Sequence, residues 1–319
     1  MRAERVFGIS SESDKIDYVK LVIPYHRARM RAQLHPALRL LVFFVLVLPA
    51  SFIVGVATRL LFPHLDESAR FLLHDATALV IYLVASWIMG RIEGRTIADY
   101  GLPWRRMFRG EFWIGAAIGF ACISALVLAL RLCGVFFFKG VALSGVEIAI
   151  WALVYTLVFV LVAVREEFQF RGYGLVTLTE AIRFWPAAVI WSLLFGAAHL
   201  VNTHENWLGS VNAALFGLLL CFLLRRTGNL WLPIGFHAAF DWGETYFYGV
   251  ADSGITSPGH LLNTSMSGPT WLAGGAVGPE GSVVCTLLIA VTWLLCAWRL
   301  RPTPRPLPSD PPPLPVQSA

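Results

Sequence analysis

The feature that most constrains this chain is its series of long stretches without a charged residue. Leu40–Thr58, Ala76–Gly90, Ile114–Leu130, Ile148–Val164, Phe184–Ala198, Trp207–Leu224, Leu230–Phe236 with the residues beyond it, and Gly281–Trp298 are each free of Asp, Glu, Lys and Arg. A bilayer-spanning helix needs roughly 20 mostly apolar residues, about 17 at the short end. Only 14% of the residues are charged, against about 25% in soluble domains, so the chain lacks the polar surface to cover itself in water. The expected fold is all-α, a polytopic transmembrane bundle of about eight helices. Length alone would allow two domains, but the spans are spread too evenly for a separate soluble module. Residues 1–35 read as a cytoplasmic N-terminal segment and 36–300 as the bundle. Residues 301–319 read as a disordered, Pro-rich tail.

The net charge of +5 does not point to nucleic acid, because the bases cluster beside the ends of the apolar runs. Lys20, Arg27, Arg29, Arg31 and Arg39 precede the first run. Arg91, Arg95, Arg105, Arg106 and Arg109 lie between the second and third, and Arg165, Arg171 and Arg183 around the fourth-to-fifth connection. Arg225 and Arg226 follow the sixth, and Arg299, Arg301 and Arg305 the last. Tyr248–Gly281 has no Lys or Arg. The positive-inside pattern therefore puts both termini in the cytoplasm of a bacterial inner membrane, with Arg59, Arg70 and Arg131 as exceptions. Lipid is the surrounding partner. The five cysteines lie in or beside the runs, without CxxC spacing, and read as small buried hydrophobes.

Ionisable residues inside such runs are costly and mark function by default. Three sets stand out. Val164-Arg165-Glu166-Glu167-Phe168-Gln169-Phe170-Arg171-Gly172 ends the fourth run. On a continuing helix Glu167 and Arg171 share a face and can pair, while Glu166 is rotated about 100° away. The plain alternative is a charged interfacial helix end. Phe195-Gly196-Ala197-Ala198-His199 puts a His one turn from an aromatic, with small residues that let a neighbouring helix approach. His237-Ala238-Ala239-Phe240-Asp241 projects a His and an acid into the same space; a structural hydrogen bond between helices is the alternative. Burying all three sets without using them would cost several kcal/mol. Together they suit hydrolysis in lipid: a carboxylate to activate water, a His to assist or bind a metal, and a His with Asp to hold an oxyanion.

Glu166-Glu167-x-x-x-Arg171, Phe195-x-x-x-His199 and His237-x-x-x-Asp241, in this order on successive apolar helices, resemble the EExxxR, FxxxH and Hxxx(N/D) motifs of the CPBP family. That family contains the type II CAAX prenyl endopeptidases and many bacterial relatives. The resemblance covers roughly residues 148–246, and Asp99-Tyr100-Gly101-Leu102 looks like a short Gly-Leu element found upstream in many members. It implies an intramembrane endopeptidase acting on a peptide or protein substrate, prenylated in the family's namesakes. By motif position Glu166 would activate water and His199 would work beside it. His237 and Asp241 would polarise the scissile carbonyl and stabilise the oxyanion, with Glu167 and Arg171 as a supporting ion pair. The eukaryotic prenyl proteases usually carry Asn where Asp241 stands. An ionised Asp cannot donate to an oxyanion, so Asp241 must be protonated, orient His237, or ligate a metal.

Two mechanisms are open on these residues: a zinc ion held by His199 and His237 with a Glu, or a metal-free glutamate mechanism. In the zinc version Glu166 is a ligand and Glu167 the base. Two other functions use the same features: a non-catalytic protein of the same fold, for bacteriocin self-immunity or scaffolding, and a proton-coupled transporter. The transporter lacks support, since no internal repeat is visible. Geometry imposes a condition on the site. His199 lies about 22 Å along its helix from Phe184. Glu166 can meet it if the fourth helix continues past Arg171 or if the fifth enters at an angle, and the expected solution is continuation toward Leu178. Elsewhere, His204, Glu205 and Asn206 read as a solvated loop, Asp75 as an acid near a helix start, and Glu244 as lying outside the site among interfacial aromatics.

Overall fold

Helices dominate because lipid offers backbone N–H and C=O groups no partner but each other. The computed structural model describes residues 34–301; the bases Lys20, Arg27, Arg29 and Arg31 and the Pro-rich tail from Pro302 lie outside the described residues. The helices are α1 (Pro36–Leu61), α2 (Glu67–Glu93), α3 (Gly110–Leu132), α4 (Val146–Arg171), α5 (Tyr173–Ile182), α6 (Phe184–His199), α7 (Trp207–Thr227), α8 (Trp231–Trp242) and α9 (Val283–Arg299). Large apolar side chains such as Val45, Leu48 and Phe52 on α1 and Leu153 and Leu157 on α4 face outward, as a lipid-facing surface requires.

Five stretches are long and apolar enough to cross a membrane: Pro36–Leu61, Ala69–Glu93, Gly110–Leu132, Val146–Ile182 and Trp207–Thr227. This is fewer than the eight expected. The remaining three runs form shorter helices, α6 of 16, α8 of 12 and α9 of 17 residues, at or below the short end of about 17 residues for a crossing. The all-α expectation also needs one amendment. Two strands, β1 (Phe136–Val141) and β2 (Leu262–Met266), form an antiparallel pair with Phe136 opposite Met266 and an irregularity at Phe138–Gly140.

Several helix ends carry local signals. The Asp66 side chain accepts from Ala69 N at 2.8 Å, and α2 ends at Gly94 in the left-handed region. Asn206 accepts from Leu208 N and Gly209 N to start α7, and Ser282 accepts from Cys285 N to start α9. Beyond α8 the chain does not stop but widens into a π-helical turn, Gly243–Phe247, with Tyr248 N donating to Gly243 O. Such turns are rare and concentrate at functional sites.

Two features fix the bundle. Helices α3 and α8 touch backbone to backbone: Gly115 and Gly119 face Leu232 and Phe236, and Gly235 faces Phe112, with no room for a Cβ at any of the three. A buried ionic network joins the chain's first half to α5. Arg39 on α1 donates to Glu93 on α2 (3.0 and 2.8 Å) and to Glu180 on α5 (2.5 Å). Arg95 pairs with Glu180 as well. Tyr173 and Tyr100 both donate to Glu93, at 2.7 and 3.3 Å. Tyr100 and Leu102 of the Gly-Leu element are fully buried, and Gly101 O accepts from Leu230 N, so that element seats α8. Arg39 and Arg95 are therefore interior partners and not flanking charges.

Replacing Glu93 with Ala strands a guanidinium that is 1% exposed. The expected loss is about 3–5 kcal/mol, read as a lowered unfolding temperature of the full-length protein in detergent. An unchanged temperature would show that the network is not structural.

Candidate active site

The fourth helix does run on. It reaches Arg171, breaks at Gly172, where Gly172 N still donates to Phe168 O and Gly172 O accepts from Val176 N, and resumes as α5 to Ile182. Glu166 therefore sits near the middle of the Val146–Ile182 span. Helix α6 returns alongside. Gly174 meets Trp191, and Phe170 meets Phe195 edge to face at 5.0 Å. One turn beyond that contact on each helix stand Glu166 and His199 at the same level. The continuation past Arg171 is as expected from the sequence; the break at Gly172 is not part of that expectation.

Helix α8 supplies the third side. His237 Nδ1 lies 2.9 Å from Glu167 Oε1, and its Nε2 lies 3.3 Å from Asp241 Oδ2 and 3.8 Å from Glu166 Oε2. Glu167 Oε1 also accepts from Arg171 Nη1 at 3.2 Å, so one buried oxygen joins α4 to α8. The Arg171 guanidinium lies 4.3 Å from the Phe195 ring centre, a desolvated cation–π contact that ties in α6. Phe195 in turn contacts both imidazoles, at 4.6 Å from His199 and 6.4 Å from His237. His199 Nδ1 is 2.8 Å from Phe195 O, which places the N–H on Nδ1 and leaves Nε2 as the free nitrogen. Glu166, Glu167, Arg171, His199, His237 and Asp241 are thus gathered by three helices. Glu167 and Arg171 are fully enclosed, whereas the side chain of Glu166 keeps 16% of its surface.

Sequence reasoning misses three members of this neighbourhood. Arg165, counted with the flanking bases, is turned inward and bonds Glu166 Oε1 at 2.9 Å. Its same Nη2 reaches both oxygens of Asp75, at 3.1 and 3.0 Å. Asp75 is not near a helix start, because α2 begins at Glu67, and it is fully buried. The available signal is an acid abutting an apolar run, with the Asp66 cap nine residues upstream. Gly217 on α7 is the third: a Cβ there would lie 2.6 Å from Arg171 Nη2, so the glycine makes room for the guanidinium.

Glu244, expected outside the site, is fully buried. It shares a second acidic group with Asp252 and Glu280. Burial and the charge of Asp241 push the carboxyls of Asp252 and Glu280 up from their ordinary values, that of Asp252 strongly.

Of the zinc set expected from His199, His237 and a glutamate, His237 Nε2 lies 3.8 Å from Glu166 Oε2, and His199 turns Nδ1 to Phe195 O. Glu167 faces His237 Nδ1, and the opposite nitrogen, Nε2, faces Asp241 and, farther off, Glu166. Among the described residues, the groups spaced to share one ion are Glu244, Asp252 and Glu280.

Long apolar helices with paired charges at their centre make this an integral membrane protein with a buried polar core. Residues 147–243 match the family model described as Rce1-like, Type II CAAX prenyl endopeptidase Rce1-like. No curated protein and no solved structure matches the chain. The family implies a protease acting on peptide or protein substrates at the membrane.

Asp75 and Arg165 should behave as one unit. A double-mutant cycle of Asp75→Ala and Arg165→Met, followed by thermal unfolding, is expected to give a coupling energy of about 1–3 kcal/mol. Additive losses would dissolve the pair.

Proposed function

We propose that the protein is an intramembrane endopeptidase that hydrolyses a peptide bond by a metal-free glutamate mechanism. The observation that carries this reading is Glu166. One of its oxygens is held by Arg165 while the other lies 3.8 Å from His237, and it is the acid of the pair that keeps an open face. A carboxylate oriented at one oxygen and open at the other can take a proton from water.

The remaining roles follow from the hydrogen bonds. Glu166 removes a proton from water as the water oxygen attacks the scissile carbonyl. The carbonyl oxygen takes up the electron pair of the broken π bond. His237 has a carboxylate opposite each ring nitrogen, and a ring protonated on both nitrogens satisfies these acceptors. Its Nε2–H, 3.3 Å from Asp241 Oδ2, is shared with the developing oxyanion as its donor. Asp241 orients that ring from the other side and need not itself donate. His199, with Nε2 free, accepts the proton carried by Glu166 and delivers it to the leaving amine as the C–N bond breaks. Glu167 and Arg171 do not touch substrate; they hold His237 in place.

The substrate is proposed to enter from the cytoplasmic side of a bacterial inner membrane. Arg91, Arg105, Arg106, Arg225, Arg226 and Arg299 mark one end of the bundle, and the base-free stretch Tyr248–Gly281 the other. Prenylated peptides are the first class to try, as the family's namesake substrate.

The test uses the full-length protein in lipid with paired peptides, prenylated and unprenylated, and reads cleavage by mass. Glu166→Gln and His199→Ala are expected to lower turnover by about 10²–10⁴-fold, and a zinc-selective chelator that leaves Ca²⁺ and Mg²⁺ bound is expected to leave the wild type unchanged. Full turnover in both variants would reject the peptidase and favour a non-catalytic scaffold.

A further inference from the structure

The second acidic group has a composition unlike the first. Glu244 comes from the π-helical turn after α8, Asp252 from the loop that follows, and Glu280 from the turn before α9. One carboxylate oxygen from each lies within 4.8 Å of the others. Oxygens bound to a single Ca²⁺ at about 2.3–2.6 Å are separated by at most about 5 Å, so all three can reach one ion of that size.

A cluster of acids alone would say little. The independent observation is Glu244, which is 0% exposed and has no hydrogen-bond partner on either carboxylate oxygen. A buried carboxylate without a donor is strongly disfavoured, and among the described residues no basic side chain pairs with any of the three acids. The sequence offers none nearby either, since Tyr248–Gly281 contains no Lys or Arg. The other two acids are already oriented: Glu280 Oε2 accepts from Ser253 N and Oγ at 3.2 and 2.8 Å, and Asp252 Oδ2 from Thr245 Oγ1 at 3.2 Å. Both keep partial exposure, which admits water as further ligands.

We infer that Glu244, Asp252 and Glu280 form a binding site for one hard divalent cation, of the Ca²⁺ class, separate from the Glu166–His237 cluster. An all-oxygen donor set selects hard ions over zinc. The ion clamps three segments that share no helix, and it fixes the π-helical turn three residues after Asp241. Its role is positional, and it stands whether or not the peptidase reading holds.

The full-length protein, stripped with EDTA and followed by thermal unfolding, is titrated with CaCl₂, MgCl₂ and ZnCl₂. At about a hundredfold excess over Kd, Ca²⁺ is expected to raise the unfolding temperature by on the order of 5 °C. Glu244→Gln and, at a less enclosed position, Asp252→Asn should abolish the increment, while Glu166→Ala, inactive on the reading above, should retain it in full. Tb³⁺ luminescence sensitised by the neighbouring Trp242 and Tyr246 should follow the same pattern. An equal increment in wild type and Glu244→Gln, or no increment with any of the ions, would overturn the site in favour of a proton-sharing carboxyl group. An increment that is specific to Zn²⁺ and lost in His237→Ala would overturn it in favour of an ion at the Glu166–His237 cluster.

Discussion

A single oxygen, Oε1 of Glu167, holds the centre of this molecule together. It accepts from Arg171 on its own helix and lies 2.9 Å from His237 on α8. In a water-poor interior a charge persists only when paired and hydrogen-bonded, so the position of each partner is dictated by the others. Arg171 must come within reach of Glu167, which requires α4 to stay helical through Arg171. The guanidinium then needs space, supplied by Gly217, and an electron-rich surface, supplied by Phe195. Phe195 lies one turn before His199, so the same contact sets the level of that imidazole.

The glycines of α3 and α8 complete the arrangement from the other side. Dispersion and close backbone approach, rather than water exclusion, draw helices together in lipid. Gly115, Gly119 and Gly235 bring α8 against α3 along the stretch just ahead of His237. A helix that carries both an imidazole and its orienting acid is thereby held on one face by backbone contact and on the other by Glu167. Its C-terminal end then widens into the π-helical turn, which contributes Glu244 to the second acidic group.

Much of this arrangement is legible in the amino-acid sequence. The EExxxR, FxxxH and HxxxD spacings are helical spacings, so each motif declares its own face. The demand that Glu166 and His199 meet leaves two solutions, and the continuation of the fourth helix is the one expected and found. What escapes is long-range pairing. Arg39, Arg95 and Arg165 look like flanking bases because position-counting registers only distance from an apolar run. Their partners, Glu93, Glu180 and Asp75, are separated from them by 54, 85 and 90 residues. Helix length is hidden for a related reason: uncharged runs do not reveal that α6, α8 and α9 are short helices. Asp75 is misplaced because the polar start of α2, at Asp66, precedes its apolar part.

The two acidic centres differ in a way that bears on their chemistry. Around Glu166 the carboxylates of Asp75, Glu167 and Asp241 are matched by Arg165, Arg171 and His237. Glu166 itself is bonded by Arg165 and keeps 16% of its side-chain surface open, which on the proposed reading is what water activation asks of a base. Around Glu244 no such partners exist among the described residues, and the carboxylates crowd one another. A group of that kind can reach neutrality only by taking up protons or a cation. Carboxylates with basic partners suit a site that must cycle through protonation states, and carboxylates without them suit one that must hold an ion. The bundle places the first mid-span and the second where α8, the following loop and the start of α9 meet, so that Asp241 lies between them in the chain's path from one to the other.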